Sequence, residues 1–246
     1  MGGTRLKPLL NCDLGEGEPR ERTDGLLRAV HLANIACGGH AGDADSIAFC
    51  VAWAVELGVG VGAHPGLPGD FGRGGPPPSA AELEAHLLEQ IPRVESSARR
   101  QGVRLHHVKL HGALYHAVEA DMALADTTAS LLARRHPGTA WVGQPGRATE
   151  AAARRAGIAF LPEGFLDRGY VSDGRLVPRG AEGALLEPTS ALERLGGWLS
   201  KGSVRATDGP ELRLPVATWC VHADTPGSVE LARAARRLLD TAASPS

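Results

Sequence analysis

Seven strand-like runs, at 9–14, 31–37, 59–64, 107–114, 139–143, 158–163 and 214–224, are separated for the most part by helical patterns. The helical periodicity is clearest at 43–57, 79–101, 120–135, 147–156, 188–199 and 226–240. A strand that must be followed by a helix before the next strand begins cannot pair with that strand through a hairpin. The alternation therefore predicts a parallel sheet with helical crossovers, of class α/β. The chain is 246 residues long, the usual size of one (β/α) barrel, and no GxGxxG turn marks a dinucleotide-binding open sheet. We expect a single domain, 1–246, folded as an irregular, TIM-barrel-like barrel of about seven parallel strands. A stretch rich in glycine and proline, 66–78, and one without a clear period, 166–186, are expected as long connections over the mouth of the barrel.

Side chains two apart share a face of a strand, so each run reveals which face carries its polar groups. Asn11 and Asp13 lie together in the first run, opposite Leu10, Cys12 and Leu14. His107, Lys109 and His111 share one face of the fourth, and Cys220, His222 and Asp224 one face of the last. Gly60 and Gly62 precede His64 on its face, Asn34 lies in the second run, and Glu163 closes the sixth. Nearly all of these groups come late in their strands, and in a parallel barrel the carboxyl ends of the strands meet at one mouth. Beyond the second run, Gly38, Gly39 and Gly42 surround His40 and lead to Asp43, which is expected either to cap the following helix or to contact a ligand.

One buried histidine is ordinarily a hydrogen-bonded core residue. Four at strand ends, His40, His64, His111 and His222, point instead to a site, because each buried polar group demands its own partner. Lysine is rarer still: of 26 basic residues only Lys7, Lys109 and Lys201 are lysine, leaving 23 arginines, and Lys109 alone lies within a strand. A compact ammonium suits an oxyanion or phosphate there; the alternative is a buried ion pair with Asp13 or Glu163.

The net charge of −2, with acids and bases mixed along the chain, gives no footprint for nucleic acid or an anionic membrane. The most apolar stretch, 50–63, is too short for a membrane span, and no apolar signal core opens the chain. Cys12, Cys37, Cys50 and Cys220 are widely spaced, as expected of reduced thiols in the cytoplasm. His107 and His111 form an HxxxH spacing, but on a strand they would lie roughly 13 Å apart and could not share one metal. A cross-strand metal site built from Asp13, His40 and His64 stays open.

Seven segments stand in order: NCDLGEG (11–17), ANIACGGHAGD (33–43), GAHPGLPGDFGR (62–73), HVKLHGALYH (107–116), EGFLDRGY (163–170), LVPRG (176–180) and CVHADTPG (220–227). Together they resemble the family of the 5-oxoprolinase A component, also called the LamB/YcsF family, over essentially the whole chain. The resemblance implies a barrel related to those of glycoside hydrolases and deacetylases. It also implies a role in the ATP-dependent opening of 5-oxoproline (pyroglutamate) to L-glutamate, with two partners, the B and C subunits. ATP is then a cosubstrate, for which magnesium is a candidate divalent metal; the resemblance establishes no protein metal site, and no P-loop is present in this chain.

On that reading the catalytic candidates are Asp13, His40, His64, Lys109, His111 and Glu163. Asp13, Glu163 or His64 would act as base on water, and His111 or His40 as proton donor to the leaving nitrogen. Asn11, Glu16, Asn34, Arg73, Asp167, Arg168, His222 and Asp224 are candidates for binding substrate or phosphate, with Arg73 or Arg168 joining Lys109 on phosphate oxygens. The alternatives are a metal-dependent carbohydrate deacetylase and a non-catalytic component that binds 5-oxoproline.

Overall fold

In the computed structural model, which describes residues 7–69 and 76–242, seven parallel strands close into a barrel. They are β1 (Leu9–Leu14), β2 (Leu32–Ala36), β3 (Gly60–His64), β4 (His107–Lys109), β5 (Ala140–Gly143), β6 (Phe160–Phe165) and β9 (Thr218–Val221); β7 (Ser203–Arg205) and β8 (Glu211–Arg213) form a separate antiparallel pair. β9 pairs with both β6 and β1, which completes the ring. The seven-stranded α/β barrel expected from the alternation is the one observed.

The strands are apolar on the face that meets the helices. Leu10, Cys12 and Leu14 of β1, Ala33 and Ile35 of β2, Val61 and Ala63 of β3 and Val108 of β4 join one continuous core with helical side chains. Around them run α1 (Arg20–Leu27), α2 (Ala44–Glu56), α3 (Ala80–Arg100), α4 (Gly112–Ala120), α5 (Met122–Arg135), α6 (Ala148–Ala156), α7 (Pro188–Lys201) and α8 (Ser228–Ala242). α3 shows the logic of this layer. Leu83, Leu87, Ile91, Val94 and Ala98 recur every three or four residues and are fully buried. Its start is set by Ser79 and Glu82, which cap each other's backbone N–H reciprocally. Asp43 does the same for α2 with Ser46, so its capping role is the one the structure displays.

The opposite face of the sheet lines the lumen and is polar. Asp13, Asn34, Gly62 and His107 are register partners across four successive strands. Asn11 donates to Thr218 Oγ1 at 2.8 Å, Asn34 donates to Asn11 Oδ1 at 2.8 Å, and His107 Nε2 donates to Asn34 Oδ1 at 2.7 Å. Gly62 makes room for this ladder, since a Cβ there would lie 2.1 Å from His107 Nε2.

Four features differ from the sequence expectation. The fourth strand ends at Lys109 instead of continuing to residue 114, because Gly112, at φ +49°, turns the chain into α4, which buries Leu114, Tyr115 and Val118. Asp121 then separates α4 from α5 by accepting the N–H groups of Ala123 and Leu124. α1 is an additional helix: only Leu26 and Leu27 supply an apolar signal, at the end of an otherwise charged segment. The last strand is confined to Thr218–Val221, and the short β7–β8 pair precedes it. The 166–186 connection arches over the mouth, pinned by the bridges Arg168↔Leu185 and Tyr170↔Leu176. Among the described residues, no helix is long and apolar enough to cross a membrane.

Candidate active site

A cavity of about 850 Å³ opens at the carboxyl ends of the strands, where the strand faces predict the mouth. At its base Lys109 projects from β4 into the lumen. Its Nζ donates to Asp13 Oδ1 at 2.9 Å and to Cys220 Sγ at 3.0 Å, and lies 3.1 Å from Glu163 Oε1. The ammonium is thus ion-paired with two buried carboxylates, the alternative that the sequence leaves open for it, while it still borders the cavity. The two carboxylates differ. Burial alone would raise Asp13, but His64 and Lys109 outweigh it and hold the group well below the ordinary carboxylate range. Burial and the nearby charge of Asp13 raise Glu163, with Lys109 opposing only in part.

Above this base, the ends of β1 to β4 bring Glu16, His40, His64 and His111 together. Glu16 Oε1 lies 2.8 Å from His40 Nε2 and 3.0 Å from His111 Nδ1. His64 Nε2 is 3.4 Å from Asp13 Oδ2, and its Nδ1–H donates to the Lys109 carbonyl at 2.8 Å. Burial works against charge on His64, yet Asp13 and Glu16 raise it to about 9. Across the mouth, His222 Nδ1 is 2.8 Å from Asp167 Oδ1, and its ring lies nearly parallel to that of Phe165. Burial would raise Asp167, but the ring and the backbone N–H of His222 bring it down to about 2.

Of the sequence candidates, Asp13, Glu16, His40, His64, Lys109, His111, Arg168, His222 and Asp224 line the cavity. Others lie elsewhere. Asn11 and Asn34 belong to the lumen ladder below it and orient Asp13, whose Oδ1 accepts from Asn34 at 2.7 Å. Glu163 lies behind Lys109, and Asp167 behind His222; neither is among the lining residues. The Arg168 guanidinium donates to the carbonyls of Ala184 and Val177, so it braces the overlying loop instead of being free for phosphate. Asp224 lies 3.4 Å from Arg179 at the exposed edge. Arg73 falls outside the described residues.

The structure adds lining residues that sequence reasoning does not reach. Arg22 comes from α1, Tyr115 from α4, and Leu176, Val177 and Arg179 from the arching loop. The LVPRG segment is the one sequence signal for the loop residues. His107 stays in the lumen while His111 reaches the mouth, so the HxxxH spacing makes no common site. Among the described residues, two groups carry converging donor atoms: Glu16, His40, His64 and His111, and Asp13, Cys220 and His222. In the second, Lys109 Nζ already supplies the positive charge.

A family model described as the LamB/YcsF family matches residues 9–245. The A subunit of 5-oxoprolinase from Chloroflexus aggregans is 43% identical over 239 residues, covering 95% of each chain. The protein of the same name from Methylococcus capsulatus is 42% identical over 233 residues, covering 92% of this chain and 90% of its own. The crystal structure of the lactam utilization protein from Thermus thermophilus superposes with a TM-score of 0.87 at 36% identity, covering 96% of this chain and 97% of that one. A GH113 β-1,4-mannanase, at 12% identity and a TM-score of 0.56, shares the fold alone.

Proposed function

The chain belongs to the LamB/YcsF family, and on that basis we propose that it is the A component of an ATP-dependent 5-oxoprolinase, opening the lactam of 5-oxo-L-proline to L-glutamate together with its B and C partners. The observation that carries the reading is the mouth itself. An ammonium held between two carboxylates of unlike proton affinity underlies a polar rim of three imidazoles and Glu16, within a cavity large enough for a small amide and a phosphoryl group.

A five-membered lactam resists water because its amide is resonance-stabilised. ATP overcomes this if the amide oxygen attacks the γ-phosphorus and ADP leaves, giving an O-phosphorylated imidate. Water then adds to the ring carbon, the C–N bond breaks as nitrogen takes a proton, and the resulting acyl phosphate is hydrolysed to glutamate and phosphate. In this scheme Asp13 takes the proton from water and His40 or His111 supplies the one to nitrogen. Lys109 contributes fixed positive charge from below. The N-terminus of α4, which opens on the cavity without a side-chain cap from His111, favours an anionic oxygen there.

The test measures glutamate and ADP released from 5-oxoproline and ATP by the purified chain, by itself and with the B and C subunits. Turnover is expected only in the mixture, since this chain carries no P-loop of its own to hold ATP. Robust ATP-dependent turnover by the chain alone would refute the partnership. Acetate release from an acetylated sugar without ATP would favour the deacetylase reading.

A further inference from the structure

We propose that Glu16, His40, His64 and His111 form a four-ligand binding site for one divalent transition-metal cation of the zinc class at the mouth of the cavity. One donor comes from the carboxyl end of each of four consecutive strands, β1 to β4. Glu16 Oε1 is 2.8 Å from His40 Nε2, 3.0 Å from His111 Nδ1 and 3.5 Å from His64 Nε2, and the last two nitrogens are 3.1 Å apart. All four atoms fall within 4.8 Å of one another. Donors about 2.1 Å from a tetrahedral ion are about 3.4 Å apart, so the separations suit one centre, and the stacked His40 and His111 rings would tilt out of parallel to aim both in-plane lone pairs at it.

Hydrogen bonding among the four groups does not account for their arrangement. Three ring nitrogens converge on one carboxylate oxygen, and two of them face each other, so a single proton serves only one of these contacts. A cation accepts all the lone pairs together. His64 is already fixed in the tautomer this requires, because its Nδ1–H donates to the Lys109 carbonyl and leaves Nε2 turned to the cluster. Asp13 Oδ2, 3.4 Å from that nitrogen, adds negative potential.

The fold brings the ligands together actively. His40 and His111 stack at 3.6 Å between ring centres against Gly66, where a Cβ would lie 2.4 Å from His40 Nδ1 and 2.9 Å from His111 Cβ. Gln90 clamps Gly66 by accepting its N–H at 3.1 Å and donating to its carbonyl at 2.9 Å. Arg93 ties down the loop that carries His40 through the carbonyls of Cys37 and Gly38. Three imidazoles and one carboxylate suit zinc, cobalt, iron or nickel and not magnesium, which prefers oxygen ligands and water. All four residues line the cavity, so a cation there that expands to five-coordinate would polarise a carbonyl or a water within it. Cation binding by this cluster does not depend on the substrate being 5-oxoproline.

The experiment titrates chelator-stripped full-length protein with Co2+, following visible ligand-field absorption, and then displaces it with Zn2+ or Mg2+. One Co2+ per chain is expected, released by Zn2+ and not by Mg2+. Glu16→Gln and His111→Asn should each abolish the signal, whereas His86→Gln, on α3 away from the cavity, should keep it. Histidine 15N spectra of the unmutated protein supply a readout independent of variant folding, with Zn2+ shifting three of the ten imidazoles. Absence of saturable uptake, uptake unchanged in both cluster variants that fold, or spectra in which other histidines respond would each overturn the proposal. Because the readout is binding, a negative oxoprolinase assay leaves it standing, and the converse also holds.

Discussion

Lys109 is the residue whose environment departs furthest from what its position in a strand would suggest. Its ammonium sits between Asp13 and Glu163 at the base of the lumen, so its removal leaves two buried carboxylates facing each other. Lys109→Met is therefore expected to abolish lactam turnover and also to cost about 3–5 kcal/mol of stability. Urea denaturation should show that loss, with part of it recovered in Lys109→Met combined with Glu163→Gln. Asp13, His64, Lys109 and His222 are legible as mouth residues because a strand's period of two assigns faces without knowledge of the fold. Arg22 and Arg179 are not, since their placement depends on a helix with little apolar signal and on a loop with no period at all.

Among the elements, those with strong end signals are the easiest to place. α2 and α3 begin where reciprocal caps stand, and Ser46 alone accounts for the capping role of Asp43. Asp43→Ala should cost about 1 kcal/mol, seen as a lower urea midpoint, and Asp43→Ser should restore most of it. A larger effect on cation uptake than on stability would instead give Asp43 a part in the site. The sequence overextends β4 because VKLHGAL alternates well enough to pass for a strand, and only the backbone of Gly112 reveals the turn into α4. The three-residue strands β7 and β8 lie below the length at which alternation carries information.

At the scale of the whole molecule, ionisable groups buried away from the mouth leave their mark on stability. Glu119 of α4 accepts from Gln144 N at 2.7 Å and Thr149 Oγ1 at 2.6 Å, yet burial outweighs both and raises it from 4.5 to about 7. The unfolded chain releases this proton near pH 4.5 while the folded chain keeps it to about 7. Its stabilising contribution is thus complete below pH 4.5 and is lost as pH rises to 7, a change of about 3 kcal/mol. Glu119→Gln should flatten that part of the curve, measured as the difference in unfolding free energy between the two proteins across pH 4 to 8. The closed barrel also has a consequence for how the chain is made. Its ring is sealed by β9, which pairs with β1 from the start of the chain and with β6, and roughly 50 residues separate β6 from β9. At a synthesis rate of about 5–20 residues per second, β1 and β6 wait about 3–10 s after β6 is made before their shared neighbour is even polymerised. During that interval a nascent chain offers two bare strand edges, and the crowded polysome, more than the finished protein, is where this sequence is most exposed to mispairing.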